Sequence, residues 1–233
     1  MSSVEITVVA DADEAARLVA ERLAEQARAG GSIVLTGGST PRRAYEIAAE
    51  LEPDWSRVEL WWGDERFVAD GDGDRNDAQA REALLDRVPL DPRRVHPMPA
   101  ADGPTTDLDA AAESYAGQLR EQGSGRFDVV LLGVGPDGHV ASLFPGFPQL
   151  DVEDTVAVAV RDSPKPPPQR ISLTFPALER SDEVWFMAAG DEKADAVRRA
   201  LIPGTDPHDV PAARPRGVRR TLWLLHEAAA SGL

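Results

Sequence analysis

The stretch VVLLGVGPDGHVASLFPG, residues 129–146, joins an unbroken apolar run to a glycine-rich turn. A short continuous apolar run reads as a strand buried on both faces, which is how parallel sheets covered by helices are written. The turn at its carboxyl end lies where open α/β sheets place their ligands. That turn carries Asp137 and His139, in a chain that has four histidines.

Outward from this strand, read as Phe127–Leu132, β-type and helix-type patterns alternate. On the amino-terminal side, Val4–Val9 reads as a strand, followed by a helix from Asp11 and Asp13 to Ala29. Ile33–Leu35 is a second strand, followed by a glycine turn and a helix to about Leu51. Val58–Trp62 is a third strand, and residues 63–76 read as a loop. Helices are expected near Asp77–Arg87 and Leu108–Gln122. Beyond the central strand, Thr155–Val160, Arg170–Leu173, Val184–Ala188 and Arg219–Leu225 read as strands. The prolines of 163–168 exclude regular structure. Asp191–Leu201 reads as a helix, and a short helix is expected at the carboxyl end. Strands separated by helices predict an α/β fold with a mostly parallel sheet and helices on both faces.

A length of 233 residues suits one domain spanning 1–233. The absence of cysteine removes thiol nucleophiles, disulfides and thiolate metal sites. The opening MSSVEITVVADADEAARL lacks the cationic segment of a signal peptide. No apolar run approaches the ~20 residues of a membrane helix. These features predict a cytoplasmic protein without a membrane partner. The net charge of −15 argues against nucleic acid, because phosphate backbones call for a basic surface. If the substrate is an anion, a local group of Arg and Lys must hold it against the field of the whole molecule.

Three motifs carry candidate chemistry. Gly133-x-Gly135-x-x-Gly138 matches the dinucleotide pattern, but Pro136 removes a backbone donor and Asp137 sets a negative charge where a pyrophosphate would sit. Asp137 and His139 are then either turn residues or an acid–base pair. The segment Thr36-Gly-Gly-Ser-Thr40-Pro41 reads as a strand-to-helix turn with Thr40 as N-cap and Pro41 at the first helical position. Its exposed N–H groups and helix dipole suit a phosphate, with Gly38, Ser39 and Thr40 as candidates. WWGDERF (61–67) ends a strand in Asp64, Glu65 and Arg66, of which Arg66 suits a phosphate or a developing oxyanion. Taken singly, Arg170 and Lys193 read as surface charges. His96, His208 and His226 read as structural or exposed.

Together, GGSTP (37–41), WWGDERFV (61–68), Arg75-Asn76-Asp77, LLGVGPDGHVASLFPG (131–146), QRISLT (169–174), GDEKADAV (190–197) and LWLLHEAA (222–229) resemble the 6-phosphogluconolactonases, in the wider group that includes the glucosamine-6-phosphate deaminases. The segments run in family order and cover nearly the whole chain. The resemblance implies a Rossmann-like, doubly wound fold and hydrolysis of 6-phospho-D-glucono-1,5-lactone, without metal or cofactor. It implies that the GGSTP turn, Asp64, Arg170 and Lys193 bind the sugar phosphate. Arg66 and His139 would work at the lactone, with Asp137 orienting His139. The deaminases carry a glutamate five residues after the histidine, where this chain has Phe144. That favours the lactonase over a sugar-phosphate isomerase or deaminase, while the acidic charge speaks against a non-catalytic sugar-phosphate-binding domain of the kind found in transcription regulators. The loop Val68-Ala-Asp-Gly-Asp-Gly-Asp74 is acidic where lactonases often carry prolines. Whether Asp64 or Glu65 faces the pocket stays open in the sequence. The expected assembly is a monomer or weak homodimer.

Overall fold

The computed structural model describes residues 3–52 and 54–233. Nine strands and six α-helices are present among them: β1 (Ser3–Val9), α1 (Ala12–Ala29), β2 (Gly31–Leu35), α2 (Ser39–Leu51), β3 (Val58–Trp62), β4 (Asp64–Arg66), α3 (Asn76–Ala80), α4 (Leu108–Gln122), β5 (Phe127–Gly133), β6 (Ala157–Val160), β7 (Arg170–Leu173), α5 (Phe175–Glu179), β8 (Ser181–Ala188), α6 (Ala194–Leu201) and β9 (Arg220–His226). Six strands form one sheet in the order β1-β9-β8-β5-β2-β3, and every pairing in it is parallel. Strands β4, β7 and β6 form a separate antiparallel sheet.

The central strands are buried because their residues are apolar on both faces. Val129–Leu132 and Ile33–Leu35 have essentially no exposed surface, nor do Leu60–Trp62. Crossovers β1–α1–β2 and β2–α2–β3 step one way across the sheet. The connections from β3 to β5, β5 to β8 and β8 to β9 step the other way. Right-handed crossovers therefore place α1 and α2 on one face and α4, α5 and α6 on the other. The winding reverses between neighbouring β2 and β5, so their carboxyl-end loops diverge and leave a crevice. Carboxylates start two of the long helices: Asp11 accepts the Glu14 N–H at 2.7 Å, and Asp107 accepts the Ala110 N–H at 2.8 Å. No helix among the described residues is long and apolar enough to cross a membrane.

Several local expectations are corrected. Residues 63–76 are not wholly loop, since Asp64–Arg66 pairs with Arg170–Leu173. β6 and β7 belong to this small sheet and not to the parallel one. Thr40 is not the N-cap: α2 starts at Ser39 behind Gly38, whose φ of 118° a side chain would resist. Pro41 thus sits third in the helix, where no intrahelical N–H bond is lost. The helix expected at Asp77–Arg87 is α3, starting at Asn76 and relaxing into a π-helical turn at Arg81–Leu85. Asp191–Lys193 is a 3-10 turn leading into α6. The carboxyl end makes turns, because so short a segment gains too few hydrogen bonds to nucleate a helix.

Two buried tyrosines fasten the strand ends to the helices. The Tyr45 hydroxyl, from α2, accepts the Thr36 N–H at 3.0 Å and donates to the Thr36 carbonyl at 2.8 Å. Tyr115, from α4, does the same for Trp62, at 2.9 and 3.2 Å. Tyr45→Phe leaves both backbone groups of Thr36 without that partner. It should cost about 1–3 kcal/mol in urea unfolding, and an unchanged unfolding midpoint would refute the role.

Candidate active site

The crevice between the ends of β2 and β5 opens into a cleft of about 280 Å³. The β2 side supplies Thr36, Gly37 and Gly38; the β5 side supplies Gly133, Gly135, Pro136 and His139. The small sheet closes it with Asp64, Arg66 and Arg170, and Asn76, Lys165 and Lys193 complete the polar lining. Four cations thus meet at one spot on a chain of charge −15.

The glycine turn after β5 is built around His139. The Gly135 N–H donates to the His139 carbonyl and the Gly138 N–H to the Gly135 carbonyl, both at 2.9 Å. A Cβ on Gly135 would stand 2.1 Å from the imidazole, so only glycine lets the ring lie against the turn. Gly138 has φ +86°, and a Cβ there would meet Val210 at 2.8 Å. The Asp137 carboxylate lies 2.5 Å from His139 Nδ1. Burial pushes the Asp137 carboxyl up, but the hydrogen bonds and charge of His139 outweigh it and hold it below its ordinary value. An ionised Asp137 only accepts, so Nδ1 carries the proton and Nε2 keeps its lone pair. The Phe144 ring packs on the imidazole, with centroids 4.6 Å apart.

Arg66 and Arg170 are register partners across β4 and β7. Like charges set opposite one another repel, and each has its own restraint. Arg66 Nη1 donates to the Asp74 carbonyl at 2.9 Å and to Asn76 Oδ1 at 2.5 Å, while its buried Nε has no acceptor. Arg170 Nη2 donates to the Lys165 carbonyl at 3.0 Å, and Nη1 lies 3.8 Å from Asp64. Burial pulls the Arg170 guanidinium below its ordinary value against the attraction of Asp64. Burial likewise lowers the Lys193 ammonium, opposed by Glu192 and reinforced by Lys165.

The two neighbouring carboxylates divide their work. Asp64 lines the cleft, where Ser142 Oγ donates to it at 2.6 Å and Asn76 Nδ2 at 3.2 Å. Glu65 points into the protein and gathers the N–H groups of Arg66, Asn76 and Asp77 at 2.7–2.8 Å. Burial pushes its carboxyl up to about 7, opposed by Arg75 and by those three amides. It lies at the start of α3 and fixes the turn that carries Asn76.

Of the residues expected from sequence, Gly38, Asp64, Arg66, His139, Arg170 and Lys193 line this cleft. Asp137 stands behind His139. Ser39 and Thr40 open α2 directly after Gly38 and are not among the lining residues. Lys165 and Asn76 were not singled out by sequence. A lysine flanked by prolines in 163–168 was the available signal for the first; the Arg75-Asn76-Asp77 turn was the signal for the second. The other histidines lie elsewhere: His96 stacks on Trp61, His208 pairs with Asp151, and His226 ends β9.

Comparison with known proteins agrees with this architecture. Residues 8–223 match the family model described as glucosamine-6-phosphate isomerases/6-phosphogluconolactonase. The chain is 51% identical to the 6-phosphogluconolactonase of Streptomyces coelicolor, over 94% of this chain and 88% of that one. It is 49% identical to the enzyme of the same name from Mycobacterium tuberculosis, over 89% and 87%. The structure of 6-phosphogluconolactonase from Trypanosoma brucei superposes with a TM-score of 0.86 at 28% identity, covering 100% of each chain.

Glu65→Gln must turn an amide NH₂ toward one of the backbone donors that the carboxylate now accepts. It should destabilise the protein by about 1–3 kcal/mol, read from chemical denaturation. Equal stability would show that the three amides do not depend on the charge.

Proposed function

We propose how the cleft works from one premise: this chain belongs to the glucosamine-6-phosphate isomerase/6-phosphogluconolactonase family. It hydrolyses 6-phospho-D-glucono-1,5-lactone to 6-phospho-D-gluconate, the second step of the oxidative pentose phosphate pathway. The observation that carries the residue assignments is the Asp137–His139 pair, in which Asp137 engages Nδ1 and leaves Nε2 for substrate or water, set in a cleft with four cations.

His139 Nε2 takes a proton from water as the water oxygen attacks the lactone carbonyl carbon. Asp137 holds the proton on Nδ1 and stabilises the imidazolium that forms. The carbonyl electrons move onto oxygen, and Arg66, which lines the cleft, faces that developing charge. When the tetrahedral species collapses, the bond from the carbonyl carbon to the ring oxygen breaks. The proton on Nε2 passes to that oxygen, which leaves as a hydroxyl. The new carboxylic acid then loses its proton to solvent.

Arg170, Lys193 and the N–H groups of the Gly38-Ser39-Thr40 turn hold the phosphate, with Lys165 as a further cation. Asp64 orders Arg170, Ser142 and Asn76 and keeps the cation group from being wholly uncompensated. A proton shuttle between sugar carbons needs a second acid–base group near the histidine. Phe144 fills that place and can transfer no proton, which supports ester hydrolysis over isomerisation. We place the whole chain in one domain, on its length and its unbroken alternation of elements, and the enzyme in the cytoplasm, on its cysteine-free composition, with a monomer or weak homodimer as the expected assembly.

His139→Ala should lower kcat by about 10²–10⁴-fold with the fold intact. The lactone also opens spontaneously, so the comparison uses freshly made lactone and subtracts the uncatalysed rate. Near-native turnover would remove His139 from the reaction. Lys193→Ala should raise KM by about 10-fold or more, as loss of a charged hydrogen bond does, with kcat little changed if the contact is equal in ground and transition states. An unchanged KM would place the phosphate elsewhere.

A further inference from the structure

Asn76 uses its whole side chain inside the cleft wall. Its Nδ2 donates to the Asp64 carbonyl at 2.8 Å and to Asp64 Oδ1 at 3.2 Å, and its Oδ1 accepts from Arg66 Nη1 at 2.5 Å. This orientation is forced, because a flipped amide would set NH₂ against the guanidinium and oxygen against two acceptors. The residue is 3% exposed and cannot swing away to solvent. Its backbone N–H is held by Glu65 at 2.7 Å. On its other side it meets the turn after β2, where a Cβ on Gly37 would stand 1.8 Å from Asn76 Oδ1.

We infer that Asn76 is the positioning residue that aims Arg66 at the lactone carbonyl and couples that aim to the phosphate-binding turn. The inference rests on Arg66 being the oxyanion donor. The guanidinium is planar, so fixing Nη1 on Asn76 and on the Asp74 carbonyl fixes the direction of its remaining N–H groups. Nε, buried and without an acceptor, is one of these. Without the Asn76 oxygen, Nη1 keeps only the Asp74 carbonyl and the ring of donors can pivot about that single bond. Gly37 follows from the same contact: any side chain there would push Asn76 off Arg66, so the glycine serves this amide as well as the turn.

The test is a double-mutant cycle of Asn76→Ala and Arg66→Ala on fresh lactone, with kcat and KM measured separately. Asn76→Ala should lower kcat by about 10–100-fold, the cost of a misplaced donor, with KM little changed. In the Arg66→Ala background the same substitution should cost no more than about 2-fold, since groups that act as a unit are not additive. Asn76→Asp supplies a second reading, independent of how well the alanine variant folds. It keeps an acceptor for Arg66 but loses the donors to Asp64, so it should retain more kcat than Asn76→Ala whatever it costs in stability. A kcat no better than that of Asn76→Ala would count against the aiming role. Equal cost of Asn76→Ala in both backgrounds would overturn the inference and leave a merely structural role. So would an unchanged kcat in Asn76→Ala beside an impaired Arg66→Ala. Full turnover in Arg66→Ala itself would instead overturn the assignment of Arg66, and this inference with it.

Discussion

Between β2 and β5 the chain reverses the direction in which it winds the parallel sheet, and two neighbouring strand ends must then send their loops to opposite faces. Every other feature of the cleft depends on this topological constraint. The β2 loop leaves toward α2, and Gly38 and Tyr45 hold its backbone in place. The β5 loop leaves the other way, folded tightly enough by Gly135 and Gly138 to lay His139 on its own turn. The small antiparallel sheet bridges the gap between them and brings two arginines to the same crevice.

What holds the cleft is largely carboxylate chemistry beside it, buried at Asp64 and Glu65. Asp137, Asp64 and Glu65 each accept several donors, and only Asp64 lines the opening. Carboxylates and backbone carbonyls beside them let four cations line one cleft. A strongly acidic protein can bind an anion here because cations outnumber carboxylates in the cleft, while the net negative charge is spread over the rest of the chain. The lowered guanidinium of Arg170 and ammonium of Lys193 record the burial of those groups.

The parallel sheet was legible in the sequence because its central strands are apolar on both faces, as Val129–Leu132 and Ile33–Leu35 are. The small sheet was not, since β4 is Asp64-Glu65-Arg66, three charged residues with no alternation to read. Its identity as a strand comes from a partner, β7, far along the chain. The start of α2 was misread for a similar local reason: Gly38 takes the cap conformation that a hydroxyl residue would normally mark. Among site residues, His139 and Arg66 stood out because the turns around them are unusual. Asn76 and Lys165 did not, because an asparagine in an acidic loop and a lysine among prolines have ordinary explanations until the fold brings them to the cleft.

The pairing of Arg66 with Arg170 across β4 and β7 turns the site into a ruler. Antiparallel register fixes where two opposed residues stand, and a slip of one strand by one residue would move its arginine to the opposite face, away from the other. In the proposed reaction one arginine meets the carbonyl end of the substrate and the other its phosphate. The span between the two ends is therefore set at its base by backbone hydrogen bonds and at its tips by the partners that hold each guanidinium. Lactones whose phosphate lies one carbon nearer or farther would engage one arginine at the expense of the other. If the two arginines hold the two ends as proposed, length selectivity rests in part on sheet pairing, decided as the chain folds and before any ligand arrives.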